Sequence, residues 1–125
     1  MKVLEDVTPG PGGILHAWAG SKEVAATLAA LGYGFGVAGV ITRPQATRVR
    51  RVVADLPLQH LVLETDAPYI GTQTWPKGRV EPAALPEICA ALAALKTCPP
   101  SEIAAETTAN ACSRLGLPRE SSHVP

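Results

Sequence analysis

Gly13-Ile14-Leu15-His16-Ala17-Trp18-Ala19-Gly20-Ser21 is the stretch on which the rest of the chain is read. It follows a breaker cluster, Pro9-Gly10-Pro11-Gly12-Gly13, and is almost wholly apolar, which predicts a buried strand over residues 13–19. Gly20 closes it, and Ser21 has the side chain that caps a helix start. Val24, Ala25, Leu28 and Leu31 then recur at helical spacing, with Gly32 where a helix stop is expected. This is one β-α unit.

Working outward, the unit repeats. Tyr33 to Thr42 reads as a second, Gly-rich strand, and Pro44 suits the first turn of a helix whose apolar face is Ala46, Val49, Val53 and Leu56. Pro57 ends that helix. Leu61 to Thr65 predicts a third strand, and a Gly/Pro/Thr-rich loop runs from Asp66 to about Pro82. Leu85, Ile88, Leu92 and Leu95 mark another helix, Pro99-Pro100 breaks it, and Ser101 is expected to cap a last helix reaching about Leu115. Near-continuous apolar strands alternating with amphipathic helices imply an α/β fold, a parallel sheet covered by helices. The candidates are a doubly wound sheet or part of a (β/α)8 barrel. Such a barrel needs about 250 residues, so 125 residues correspond to half of one.

Composition narrows the function. A hydrophobic fraction of 46% supports a core and argues against disorder. The formal net charge is zero, whereas a sequence-blind nucleic-acid binder is usually basic, so any phosphate contact must come from a local cluster. Three cysteines, an odd number with no C-x-x-C pair, fit reduced thiols in a cytoplasmic protein; Cys89 and Cys112 read as buried small apolar residues. No apolar run approaches the ~20 residues of a membrane span, and Met1 to Val7 does not read as a signal peptide.

Active sites of parallel α/β folds gather at the carboxyl ends of the strands. His16 lies late in the first strand, and Glu64 and Asp66 end the third. Side chains alternate along a strand, so Glu64 and Asp66 point to one side. An imidazole and a carboxylate at one sheet mouth suit Zn, Mn or Mg. Set against this, a lone His in an apolar strand is often a core residue, and a terminal Asp is often a turn residue. His60 reads as surface and His123 as part of the tail. Gly34, Gly36 and Gly39 fit G-x-G-x-x-G, but they fall inside a strand segment, away from any helix start, so space for a close approach competes with dinucleotide binding. Arg48, Arg50 and Arg51 read as a solvated helix face. Arg43, Lys77 and Arg79 occupy mouth positions from which a phosphate could be held.

The segment 13–21 resembles the strand G-x-x-H-x-F-S-G-S of the TatD family. Leu63-Glu64-Thr65-Asp66-Ala67-Pro68-Tyr69 resembles its E-T-D-A-P-Y signature, Arg79-Val80-Glu81-Pro82 its R-N-E-P, and Thr107-Thr108-Ala109-Asn110-Ala111 the T-T-x-N-A of its last helix. The resemblance covers residues 13–117. It implies the last three β-α units of a (β/α)8 barrel, an incomplete barrel, from a family of metal-dependent hydrolases many of which act as DNases. Carried over, His16 and Asp66 would be metal ligands, Asp66 would help activate the attacking water, and Glu64 would support the site from behind. Divalent Mg, Mn or Zn would be the cofactor, and DNA the substrate. The family's H-x-H pair, bridging Glu and further His, which precede the strand at 13–19, have no counterpart after Met1. Trp18 replaces Phe, Ala19 replaces Ser or Thr, and Val80 replaces Asn, which removes a polar group from the mouth loop.

The domain reading is a partial barrel over residues 1–118 and a loose tail over 119–125. A three-strand piece has two open edges, which predicts a homodimer or binding to a complementary barrel half. Two functions compete: a truncated hydrolase with an incomplete metal site, and a non-catalytic remnant that serves as an interaction module.

Overall fold

The computed structural model describes residues 12–119. Three parallel strands lie in the order β1 (Ile14–Leu15), β2 (Gly34–Val37) and β3 (Leu61–Leu63). The register pairs Ile14 with Gly34, Leu15 with Phe35, and Phe35, Gly36 and Val37 with Leu61, Val62 and Leu63. All of β2 is buried, as expected of a central strand covered on both faces. The helices are α1 (Lys22–Ala30), α2 (Thr47–Asp55), α3 (Leu85–Lys96) and α4 (Pro100–Leu115).

The strands are shorter than the apolar runs that predict them. The run over 13–19 pairs only at Ile14–Leu15, because Ala17 turns to φ 44°; the Trp18 amide still reaches the Gly36 carbonyl at 2.9 Å. The run over 33–42 leaves the sheet after Val37 and winds into a 3-10 turn at Gly39–Thr42, closed by the Thr42 hydroxyl on the Gly39 carbonyl. In the third strand Glu64 still donates its amide to Val37, but Asp66 turns to φ 50°.

Two helix starts also differ from expectation. Pro44 stands in a turn ahead of α2, whose first residue is Thr47. Ser101 lies inside α4, and Pro100 occupies the first helical position, where its missing N–H costs nothing. Ser21 does cap α1, its Oγ accepting from the Val24 amide. Gly32 follows α1 at φ 89°.

Phe35, Val37, Leu61, Leu28, Val53, Ile88, Leu92 and Ile103 form the core between sheet and helices. Trp18 packs edge-on to Phe35, ring centroids 5.0 Å apart. Val62, on the edge strand β3, is buried. Cys89 and Cys112 are only half-buried.

Polar side chains tie the layers together. The Asn110 amide, buried on α4, donates to the carbonyls of Leu58 and Leu61, both at 2.8 Å, fixing α4 beneath the entry to β3. Two carbonyl partners also fix which end of the amide carries nitrogen. The Lys96 ammonium donates to the carbonyls of Ala54 and Leu56, closing the carboxyl end of α2. Burial lowers the pKa of Lys96, with Asp55 acting in the opposite sense. Among the described residues, β1 and β3 each pair along one side only. An apolar groove of about 580 Å³ runs past Leu63 between α3 and α4, with Leu85, Ala104, Ala111 and Leu117 on its walls.

Candidate metal centre

The carboxyl ends of β1 and β3 bring His16, Glu64 and Asp66 together although 48 residues separate His16 from Glu64. His16 Nδ1 lies 3.0 Å from Glu64 Oε2, and Nε2 lies 3.2 Å from Asp66 Oδ1. With Nδ1 protonated, it donates to Glu64 and leaves the Nε2 lone pair facing Asp66. The imidazole is 59% exposed, so the pair sits at a solvent-facing mouth rather than in the core. The hydrogen bond to Glu64 and the Glu64 charge raise the His16 pKa, against a small desolvation effect, and Asp66 adds to the rise.

Glu64 holds more than the imidazole. Its other oxygen accepts the Ala17 amide, pinning the left-handed residue next to His16. The carboxylate reaches this position because β2 carries Gly36 opposite it: a Cβ there would lie 2.6 Å from Glu64 Oε2. Among the described residues only Ala17, Asp66 and Thr97 are non-glycines with positive φ. Of the three, Asp66 belongs to the site and Ala17 adjoins His16, where strained backbone tends to collect; Thr97 closes α3.

The remaining residues named from the sequence divide. Arg43 is half-buried, with its guanidinium beside Gly71 at the base of the long loop. Lys77 and Arg79 are exposed on that loop. Arg50, read as part of a solvated face, is half-buried and donates to the Ile41 carbonyl, whereas Arg48 and Arg51 are exposed. His60, read as surface, is half-buried near Arg114; burial lowers its pKa and the Arg114 charge lowers it further. His123 lies outside the described residues. Gly34 and Gly36 sit within β2 and Gly39 opens the 3-10 turn, while α2 starts only at Thr47, so the dinucleotide reading has no helix end to rest on. Val80 is buried at the back of the long loop, where it lines a cleft with Pro68 and Trp75.

Sequence reasoning missed the clearance at Gly36 and the anchoring of the loop by Glu87. The Glu87 carboxylate, in the first turn of α3, accepts from the hydroxyls of Thr72 and Thr74 at 2.6 and 2.7 Å and from the Thr74 amide at 3.1 Å. Threonines in a loop and a Glu opening a helix were visible signals of such a cap, although their pairing was not.

The family model for TatD related DNases matches residues 1–116. The chain belongs to the TatD family. An Escherichia coli K12 relative, the uncharacterized metal-dependent hydrolase YjjV, is 40% identical over 109 residues, covering 85% of this chain and 41% of the relative. The YjjV crystal structure superposes with a TM-score of 0.78 over 85% of this chain and 41% of that one, at 36% identity. A TatD protein named 3'-5' ssDNA/RNA exonuclease, from Erwinia billingiae, is 31% identical over 113 residues, 86% of this chain and 43% of its own length. The chain thus spans about two fifths of the length of the TatD relatives it matches, and its fold is the last three β-α units of their barrel. Among the described residues no three His, Cys, Asp or Glu side chains are arranged to enclose an ion. The spacing of His16 and Asp66 is one that two donors to a single ion would have. Two donors each ~2.0–2.1 Å from a shared ion stand roughly 3 Å apart, as His16 Nε2 and Asp66 Oδ1 do at 3.2 Å.

Proposed function

We propose that this chain supplies one wall of the divalent-metal centre of a TatD hydrolase acting on nucleic-acid phosphodiesters. The observation that carries the reading is the His16–Asp66 pair at 3.2 Å, with His16 clamped from behind by Glu64. His16 would hold the ion through Nε2 and Asp66 through a carboxylate oxygen. When bound, a divalent ion lowers the pKa of water and offsets charge developing on phosphate. Asp66, with free lone pairs at the mouth, is placed to accept a proton from an attacking water. Glu64 fixes the imidazole so that one nitrogen stays available, the usual task of a carboxylate behind a metal-binding His. Nucleic acid enters as the substrate because a TatD relative carries an exonuclease name.

The test is paramagnetic broadening by Mn²⁺ in NMR spectra of the full chain, a readout suited to a weak site. Broadening is expected to centre on residues 15–18 and 64–68 and to vanish in Asp66→Asn. Broadening centred elsewhere, or unchanged in that variant, would overturn the assignment. The apolar groove beside β3, which pairs along one side only among the described residues, favours the second reading, an interaction module. A chain that binds no Mn²⁺ at His16 but associates through that groove would be such a module.

A further inference from the structure

The loop after Asp66 carries a feature that the metal reading does not use. The chain has only five aromatic residues. Phe35 lies in the core, and Trp18 and Tyr33 pack against it. Trp75 and Tyr69 do neither, and both lie on this loop. Tyr69 is 65% exposed, the most exposed large hydrophobic side chain among the described residues. Trp75 forms one wall of an open cleft of about 600 Å³ with Pro68, Pro76, Arg79, Val80 and Glu81.

The cleft is held in shape independently of any ligand. The Trp75 amide donates to the Thr72 hydroxyl at 2.9 Å, and its carbonyl accepts the Thr72 amide at 3.0 Å. Thr72 is in turn bonded to Glu87 on α3. Across the cleft, the Val80 amide bonds to the Pro68 carbonyl at 3.3 Å, and the Arg79 amide to Pro76 at 3.0 Å. Pro68 is two residues beyond Asp66, at most ~7 Å of chain. The cleft therefore begins, at Pro68, within a short length of chain of the candidate metal wall.

The charges choose between ligands. Arg79 brings one positive charge and Glu81 one negative charge to the same cleft. A phosphate would be attracted by the first and repelled by the second. A neutral planar heterocycle meets no such conflict: it stacks on an indole and offers donors and acceptors to a guanidinium and a carboxylate.

We infer that the cleft between Trp75 and Arg79 is a nucleobase subsite, holding the base next to the phosphodiester at His16 and Asp66, with Arg79 contacting the base rather than a phosphate. The inference rests on the nucleic-acid reading of the metal site and assigns to it a base-binding subsite.

The test is made without metal, on the full chain, by following the Trp75 indole N–H resonance during titration with a short single-stranded DNA oligonucleotide. A matched oligonucleotide abasic at every position is the control. The DNA is expected to shift the Trp75 indole, and the abasic strand is not. Trp75→Ala should weaken DNA binding by roughly 5- to 150-fold, the usual range for loss of one stacked base, and Trp75→Phe should restore most of it. Equal shifts from both oligonucleotides, or unchanged binding by Trp75→Ala, would overturn the subsite. The two readings fail separately. Mn²⁺ broadening at His16 with no base-dependent shift at Trp75 removes the subsite and leaves the metal centre. A base-dependent shift without Mn²⁺ binding removes the metal centre and leaves the subsite.

Discussion

Replacing Gly36 with Ala should damage the metal wall while leaving the fold almost intact. The new Cβ would stand 2.6 Å from Glu64 Oε2 and 2.8 Å from Oε1, where ordinary contact begins at 3.4 Å. The carboxylate must retreat by about 0.8 Å or more to restore normal contact. It is the far end of a flexible side chain, so it moves and the backbone stays. The retreat stretches its bond to His16 Nδ1 beyond hydrogen-bond length and loosens its bond to the Ala17 amide. A hydrogen bond to a charged group contributes about 1.5–3 kcal/mol when buried, and the exposure of His16 places its bond well below that. Gly36 has no positive φ that would exclude Ala, so restricting the unfolded chain returns about 0.4–1 kcal/mol. The net loss of stability is expected to be about 1 kcal/mol, a small shift in a urea midpoint. Metal affinity should suffer far more, about 10- to 100-fold, as when a carboxylate behind a metal-binding His is removed. Mn²⁺ broadening titrations on wild-type and Gly36→Ala chains, with the side-chain ¹⁵N shifts of His16 alongside, measure both effects. Wild-type Mn²⁺ affinity and unchanged His16 shifts in the variant would refute the claim that Gly36 exists to admit Glu64. Loss of more than about 3 kcal/mol would refute it differently, by showing that Gly36 serves the core.

Asn110→Ala strands the carbonyls of Leu58 and Leu61, so denaturant unfolding should show a loss of about 2–4 kcal/mol; Asn110→Asp, which keeps the shape but not the donors, should be no better. Burial pushes the Glu87 pKa up, but hydrogen bonds from Thr72, Thr74 and Gln73 outweigh it and leave the pKa below its ordinary value. The stability Glu87 lends the loop is therefore present at neutral pH and lost as pH falls through its folded-state pKa; amide exchange over residues 72–75 should accelerate there, and Glu87→Gln should abolish the pH dependence. With two candidate ligands where a catalytic metal usually has three, the chain alone is expected to cleave single-stranded DNA weakly or not at all with Mn²⁺ or Mg²⁺; robust cleavage lost in Asp66→Ala would contradict this. The apolar groove beside β3 and the exposed Leu85, Leu115 and Leu117 predict concentration-dependent association by sedimentation or light scattering, and a monomer at every concentration would refute it.

Much of the fold was legible because local rules governed it. Ser21 and Gly32 bound α1 through cap chemistry that involves only neighbours in the chain. The apolar runs located all three strands, though not their ends. Strand ends are set where the backbone turns away, at Ala17, at Gly39 and at Asp66, and the turns at Ala17 and Asp66 flank contacts with residues far away in sequence. Hydrophobic spacing carries no information about those contacts. Pro44 and Ser101 misled for a related reason: each suits a helix start, and the chain used a different one nearby.

For the site, the sequence by itself named the candidate donors and the end of the sheet at which they meet. Strand alternation predicts Glu64 and Asp66 on one face, but β3 ends at Leu63 and Asp66 turns to φ 50°, so the chain reaches that arrangement through the turn, while the apolar run carries His16 to the end of β1. It also displayed the four TatD motifs. Only the tertiary structure decided how these groups divide the work. Parallel register across β2 sets His16 against β3 and gives Glu64 the Nδ1 side and Asp66 the Nε2 side. Gly36 becomes significant because it lies between them, and Asn110 because α4 folds back under β3. Trp75 is set apart from the other tryptophan by where the loop runs. The physical reason is the same in each case: these contacts join residues that only register and loop closure bring together, and neither is written in the spacing of neighbouring side chains.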